Sequence, residues 1–251
     1  MVKPHETVCI LGMSYCGSTM LSGLMYNVPG AFSVGEAHWL LQRKDVPKLT
    51  ACSLCGNDCK ILGGITERNT TAETLYDNIA KAADADILVT SDKAKWTVEP
   101  YVPRQTAKAI ILFRRPAAML ASGRRHDAGW DKTLGALYSE WYRGLLHWTE
   151  YWFKQRVVVS YERLALHTQP ELERICNKLE LPPPASPFVY PPPRWHNTGG
   201  NAHAWNWGHE GAKITLDDRW RVELKPEEVE ALRQHEGCRS AYEQMARLAG
   251  E

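Results

Sequence analysis

Short unbroken apolar runs alternate with amphipathic stretches along this chain, and the alternation assigns most elements before any motif is considered. Val8-Cys9-Ile10-Leu11, Ile87-Leu88-Val89, Ala109-Ile110-Ile111-Leu112-Phe113 and Val157-Val158-Val159 have strand length. Such runs are the pattern of strands covered on both faces. Helical spacing between and after them predicts helices over about 17–28, 71–83, 133–153, 170–180, 226–235 and 239–248. Another helix is expected from Pro116, because proline suits a first helical turn. Residues 29–70 read as irregular. Strands alternating with helices require a parallel sheet with helical crossovers. The predicted fold class is therefore α/β, with a central parallel sheet of phosphate-loop type flanked by helices, in a single domain over 1–251.

Within 133–153, Leu134, Leu137, Tyr138, Trp141, Leu145, Trp148 and Trp152 recur at helical spacing, an apolar stripe read mainly as core packing. The prolines at 182–184 and 191–193 exclude helix and central strand. They lead into a loop, His196-Asn197-Thr198-Gly199-Gly200-Asn201. In an open parallel sheet, ligands gather at the carboxyl ends of the strands. The segments following the four predicted strands, Gly12–Thr19, Ser91–Lys93, Arg114–Ser122 and Tyr161, are thus expected on one rim.

The first of these segments carries the chemistry. Gly12-Met13-Ser14-Tyr15-Cys16-Gly17-Ser18-Thr19 follows a strand and opens a helix, so backbone N–H groups converge on a volume suited to a phosphate. Its spacing matches G-x-x-x-x-G-K-[ST] except that Ser18 stands where a nucleoside triphosphatase has its lysine. Arg114 and Ser122 offer a guanidinium and a hydroxyl for a second phosphate away from the first.

Bulk composition narrows the partners. The chain has 251 residues, is 44% hydrophobic and 24% charged, and carries a formal net charge of +1. A broad nucleic-acid or membrane-binding face is not expected, and any anion site must be local. With no long apolar run and a strand entered near residue 7, neither a signal peptide nor a membrane span is expected, and a cytoplasmic location follows by default. Seven cysteines, an odd number, are expected to be reduced thiols. Cys52, Cys55 and Cys59 form a C-x-x-C-x-x-x-C run that could hold zinc with His38 as a fourth ligand. The run lacks the second C-x-x-C of a strong zinc signature, so incidental thiols on a surface loop are the favoured reading and no metal is expected. Asn69-Thr70-Thr71 spells a glycosylation sequon without any other sign of secretion.

Taken together, the loop 12–19, Arg114-x-Pro116 with Ser122, and Tyr161-Glu162-Arg163-Leu164 resemble the sulfotransferases that use 3′-phosphoadenosine-5′-phosphosulfate (PAPS). Gly35-Glu36-Ala37-His38-Trp39, Ser91-Asp92-Lys93, Gly199-Gly200-Asn201 and Asp217-Asp218-Arg219-Trp220 support the resemblance in the family's order. The similarity is to bacterial-type small-molecule sulfotransferases and, more distantly, to tyrosylprotein sulfotransferases. It implies that Gly17, Ser18 and Thr19, with Tyr15 and Cys16 in the same loop, bind the 5′-phosphosulfate. Arg114 and Ser122 would bind the 3′-phosphate. Tyr161 would lie against adenine, and Gly199, Gly200 and Asn201 would cover the nucleotide. PAPS has no triphosphate for a metal to neutralise, so the missing loop lysine is no defect.

Sulfuryl transfer to a hydroxyl needs a cation for the developing charge and a base for the proton. Lys93 is the candidate cation. Glu36 is the first candidate base, on family similarity, and His38 the alternative, because a histidine's reference pKa of about 6.5 suits neutral pH. Many relatives carry Arg or Lys where this chain has Tyr15, and Ser where it has Cys16. Either Lys93 acts alone, or Arg43 or Arg104 reaches in. The expected acceptor is a small phenol or alcohol with an apolar body, walled by Trp39, Trp130 and the aromatic helix. A kinase of the same general fold and a non-catalytic, zinc-stabilised binding protein are the alternatives.

Overall fold

The computed structural model describes residues 5–42, 51–65, 70–126, 134–190, 192, 195–200 and 214–251. Asn69, Arg43, Trp130, Pro191, Pro193 and Asn201, singled out from the sequence, lie outside them.

Five parallel strands form one sheet in the order β2-β3-β1-β4-β5: β1 Glu6–Leu11, β2 Ala31–Gly35, β3 Ile87–Lys93, β4 Lys108–Phe113 and β5 Gln155–Ser160. The helices are α1 Ser18–Leu24, α2 Trp39–Gln42, α3 Leu75–Ala83, α4 Lys95–Val98, α5 Pro116–His126, α6 Leu134–Trp152, α7 Tyr161–Leu166, α8 Thr168–Lys178, α9 Trp220–Glu223, α10 Pro226–Gln234 and α11 Glu236–Ala249. A 3₁₀ turn, Met25–Asn27, extends α1. Four strands coincide with the predicted apolar runs. The fifth, β2, falls in the stretch expected to be irregular: Ala31-Phe32-Ser33-Val34-Gly35 is short and interrupted by a serine, and it occupies a sheet edge.

The period of two along each strand divides the core. Val8 and Ile10 of β1, Ile110 and Leu112 of β4, and Val157 and Val159 of β5 pack with Leu21 and Leu24 of α1 and Leu172 and Ile175 of α8. Cys9 and Leu11, Ile111 and Phe113, and Val158 pack on the opposite face with Tyr138 and Tyr142 of α6 and Met245 of α11. Both faces are therefore covered, which is why the strands are apolar throughout. Tyr138, Leu145 and Trp148 of the α6 stripe are core and Trp141 and Trp152 pack half-buried against it, but Leu137 is exposed. Among the described residues, no helix is long and apolar enough to cross a membrane.

Because every strand pair is parallel, the carboxyl ends of all five share one rim. Gly12, Glu36, Lys93, Arg114 and Tyr161 each follow or end a strand there.

Candidate functional site

Leaving β1, the chain turns sharply at Gly12, whose backbone N–H donates to the Lys93 carbonyl at 3.1 Å. The loop ends at Gly17, with φ at +98°, and a Cβ there would lie 2.4 Å from Cδ2 of Tyr161. Glycine is required at this position by both the left-handed backbone and the ring above it. The first helical hydrogen bond of α1 runs from Leu21 N–H to the Gly17 carbonyl, 3.2 Å, and no side chain caps the helix start. Cys16 points down into the core with no exposure. Burial pushes its thiol up to about 11, against opposing influences from Lys93, the Ser18 amide and Arg114. Its own N–H donates to Met13 O at 3.3 Å. The Cys16 side chain is therefore a packing element beneath the loop.

Arg114, at the end of β4, is buried. Its Nη1 donates to the Tyr15 carbonyl at 3.2 Å and its Nη2 to the Asp217 carbonyl at 3.0 Å. Its guanidinium carbon sits 4.2 Å from the Tyr161 ring centroid, and its Nε has no partner among the described residues. Tyr138 and Tyr142 of α6 hold the strand end by donating to the Arg114 and Leu112 carbonyls, each at 3.0 Å. Ser122 is buried in α5, the helix that follows. Tyr161 lies between the guanidinium and the Gly17 turn, and its hydroxyl accepts from Asp217 N–H at 3.3 Å.

Around Asp217 three guanidiniums converge. Nη2 of Arg114 and Nη2 of Arg125 each lie 3.0 Å from Oδ2, and Nε of Arg219 lies 2.7 Å from Oδ1. Burial pushes the Asp217 carboxyl up, but hydrogen bonds from Arg219 and Arg114 outweigh it and hold the group well below the usual carboxylate range. Arg125 also pairs with Glu223. Arg125 was not singled out from the sequence, since nothing in a basic helix end distinguishes it from a solvated one.

Glu36 follows β2 and forms an ion pair with Lys93, while Trp39 Nε1 donates to its other oxygen at 2.9 Å. Burial raises the Glu36 pKa, but Lys93, the Trp39 hydrogen bond and nearby His38 together leave it below its ordinary value. Lys93 itself has φ at +66°, a left-handed conformation rare for a non-glycine residue, and such strain is concentrated at functional positions. His38 Nδ1 lies 2.6 Å from Asp92 Oδ1, which also accepts the His38 backbone N–H at 3.1 Å. The second oxygen of Asp92 accepts from the Tyr76 hydroxyl. Arg104 is elsewhere: it precedes β4 at the amino end of the sheet, where its Nε donates to Tyr151 O at 2.9 Å.

Residues 195–200 close over this rim. Thr198 N–H donates to Val34 O, and Glu36 N–H to Thr198 O, each at 2.8 Å, which adds a short bridge beside β2. A Cβ on Gly199 would meet Glu36 Cβ at 2.9 Å, and one on Gly200 would meet Thr19 Oγ1 at 3.0 Å. This segment thus spans the candidate base and the glycine loop.

The cysteine run departs from expectation. Cys52 and Cys59 are buried and only Cys55 is exposed, so the run does not lie on the surface as expected. The fourth donor beside it is His196 and not His38, which is bound to Asp92. The ligand atoms of Cys52, Cys55, Cys59 and His196 all lie within 4.8 Å of one another, a group able to hold a metal ion. Sequence spacing could not find His196, which is 137 residues from Cys59.

No protein-family model matches the chain, and no curated protein matches it either.

Proposed function

We propose that this protein transfers the sulfuryl group of PAPS to a hydroxyl of a small phenol or alcohol. The observation that carries the reading is the direct hydrogen bond between Arg114 and the Tyr15 carbonyl, 3.2 Å. It sets two groups suited to anions, the glycine loop and a buried guanidinium, side by side. A nucleotide with phosphate groups on both its 5′ and 3′ sides suits that pair. The carboxylate of Asp217, held by three arginines, occupies the kind of position that a 3′-phosphate would take. Tyr161 stacks on Arg114 and fixes its plane, and the segment 195–200 covers the 5′ end.

In the proposed reaction, the acceptor oxygen attacks sulfur in line with the departing phosphate oxygen. The new O–S bond forms as the S–O bond to the phosphate breaks, and that electron pair stays on the phosphate. Lys93 is drawn from Glu36 toward the sulfonate oxygens and offsets their charge. Glu36, losing its cation, becomes a stronger base and takes the hydroxyl proton. His38, fixed by Asp92, orients the segment that carries Glu36.

The kinase alternative needs a loop lysine and a carboxylate for magnesium. Ser18 stands in the first place, and both oxygens of Asp92 are engaged by His38 and Tyr76. Calorimetry with PAPS, with 3′-phosphoadenosine-5′-phosphate, and with ATP and magnesium tests the reading, followed by incubation of labelled PAPS with a panel of hydroxylated compounds. Binding of the two 3′-phosphorylated nucleotides without metal is the expected result. Tight magnesium-dependent ATP binding alone would replace the proposal with a kinase.

A further inference from the structure

Outside the nucleotide site, the structure gathers four donors of a chemistry that nothing in sulfuryl transfer requires. We propose that Cys52, Cys55, Cys59 and His196 bind one Zn²⁺ in a closed structural site that clamps the 51–65 segment to residues 195–200.

The four donor atoms are close enough to converge on one ion. His196 Nδ1 lies 3.4 Å from Cys55 Sγ and 3.3 Å from Cys59 Sγ, and no pair of the four donor atoms exceeds 4.8 Å. A tetrahedral zinc with Zn–S of about 2.3 Å and Zn–N of about 2.0–2.1 Å places its ligands roughly 3.5–3.8 Å apart. Three thiols and one imidazole are a soft set that selects zinc over magnesium or calcium. Four protein donors leave no open coordination position, which marks a structural and not a catalytic metal.

The backbone around the cysteines is arranged for thiolates. Cys55 N–H donates to Cys52 Sγ and Leu62 N–H to Cys59 Sγ, each at 3.4 Å, and amide donors of this kind stabilise a ligating sulfur. A tight turn brings Cys52 and Cys55 together: Cys52 and Gly56 exchange backbone hydrogen bonds at 3.2 and 2.9 Å, with Gly56 at φ +75°. His196 is oriented separately. Its backbone is bracketed by Tyr26, whose hydroxyl donates to His196 O at 3.1 Å and accepts His196 N–H at 3.2 Å.

The clamp has a structural consequence. Ser53 N–H donates to Asn197 O at 2.7 Å, so the metal and this bond together pin the residues just before Thr198. Thr198 pairs with β2, and Gly199 and Gly200 lie against Glu36 and Thr19. Zinc would hold that cover in register across a separation of 137 residues, where tying down a long connection restricts the unfolded chain most.

The test uses the full chain purified under reducing conditions from zinc-supplemented cells. Elemental analysis is expected to give one zinc per chain. The exposed-position variant Cys55→Ser and the variant His196→Ala are each expected to lose at least tenfold in zinc affinity against a chromophoric chelator. Stripping zinc should lower Tm, and hydrogen exchange should accelerate in 195–200 while the β1 and β4 amides stay protected. A substoichiometric trace of zinc, iron in its place, a disulfide between two of these cysteines, or zinc retained at full affinity in both variants would each overturn the proposal. None of these readouts involves PAPS, so the metal site and the transferase reading stand or fall separately.

Discussion

Lys93 and Glu36 pair across the carboxyl ends of neighbouring strands, β3 and β2, with both side chains largely shielded from water. On the proposed mechanism the pair makes base and cation interdependent, and that dependence would set a pH profile. Glu36 is held below its ordinary value, which favours its ionised form before any nucleotide binds. A base must be ionised to act, and activity is lost as pH falls through its pKa. The acid limb of kcat/KM, which reports the unliganded form, is therefore expected below the ordinary glutamate value. The limb of kcat should lie higher, because the sulfonate draws Lys93 away. A single limb in the range where histidines titrate, identical in both parameters, would assign the proton to His38.

Mutation separates the same two groups. Glu36→Gln keeps the shape and the Trp39 contact and is expected to reduce turnover by about a hundredfold with nucleotide affinity retained. His38→Ala removes the imidazole from Asp92 Oδ1, leaving that buried carboxylate with the residue-38 amide and the Tyr76 hydroxyl, and should cost stability more than turnover. If the losses are exchanged between the two variants, steady-state kinetics beside thermal melts will show it directly.

Reading the chain alone located four of the five strands and placed Gly12, Lys93, Arg114 and Tyr161 on one rim, because unbroken apolar runs report burial on both faces. It missed β2, whose five residues include a serine and a terminal glycine and whose edge position demands little apolar length. Glu36 is a candidate only through its family-like segment, and its pairing with Lys93 follows from β2 lying next to β3. His196 and Arg125 were illegible for a different reason: each acts through a partner far away in sequence, and local pattern carries no trace of that.

Arg114 and Asp217 make opposite predictions for one ligand. Arg114→Ala should weaken 3′-phosphoadenosine-5′-phosphate by about 2 kcal/mol or more, roughly thirtyfold, the loss expected of a charge-assisted pair. Arg114→Lys should not restore it, since an ammonium cannot reproduce the planar stack on Tyr161. On the proposed reading Asp217→Asn removes a carboxylate that would compete for the three guanidiniums, and should tighten binding about tenfold, or ~1.4 kcal/mol. Calorimetry on the three variants checks this, and weaker binding by Asp217→Asn would mean that the aspartate organises the site instead of competing in it.

Gly17→Ala tests the loop. The new methyl meets a left-handed backbone and the Tyr161 ring at 2.4 Å, and that ring is held by Arg114 and the Asp217 amide. A cost of roughly 1–3 kcal/mol is expected, with Tm lowered by about 2–4 °C for each kcal/mol in a chain of this size. Unchanged melting would show that Tyr161 yields easily and does not brace the turn.

Lys93→Ala converts the ion pair into a linkage experiment. In the wild-type protein the depressed Glu36 pKa contributes stability at neutral pH, and that contribution is lost as pH falls through the folded-state value. Without Lys93, burial is the largest influence on Glu36 and should raise its pKa above the unfolded value. The sign then reverses: the folded state binds the extra proton, so the variant is most stable below the unfolded carboxylate pKa, about 4.3, and weakens as pH rises through the raised one. Denaturant titrations from pH 4 to pH 8 should show the difference in stability between wild type and variant widening with pH. A pH-independent difference would mean that Trp39 and His38 suffice to keep Glu36 charged, and that Lys93 serves the transferred group alone.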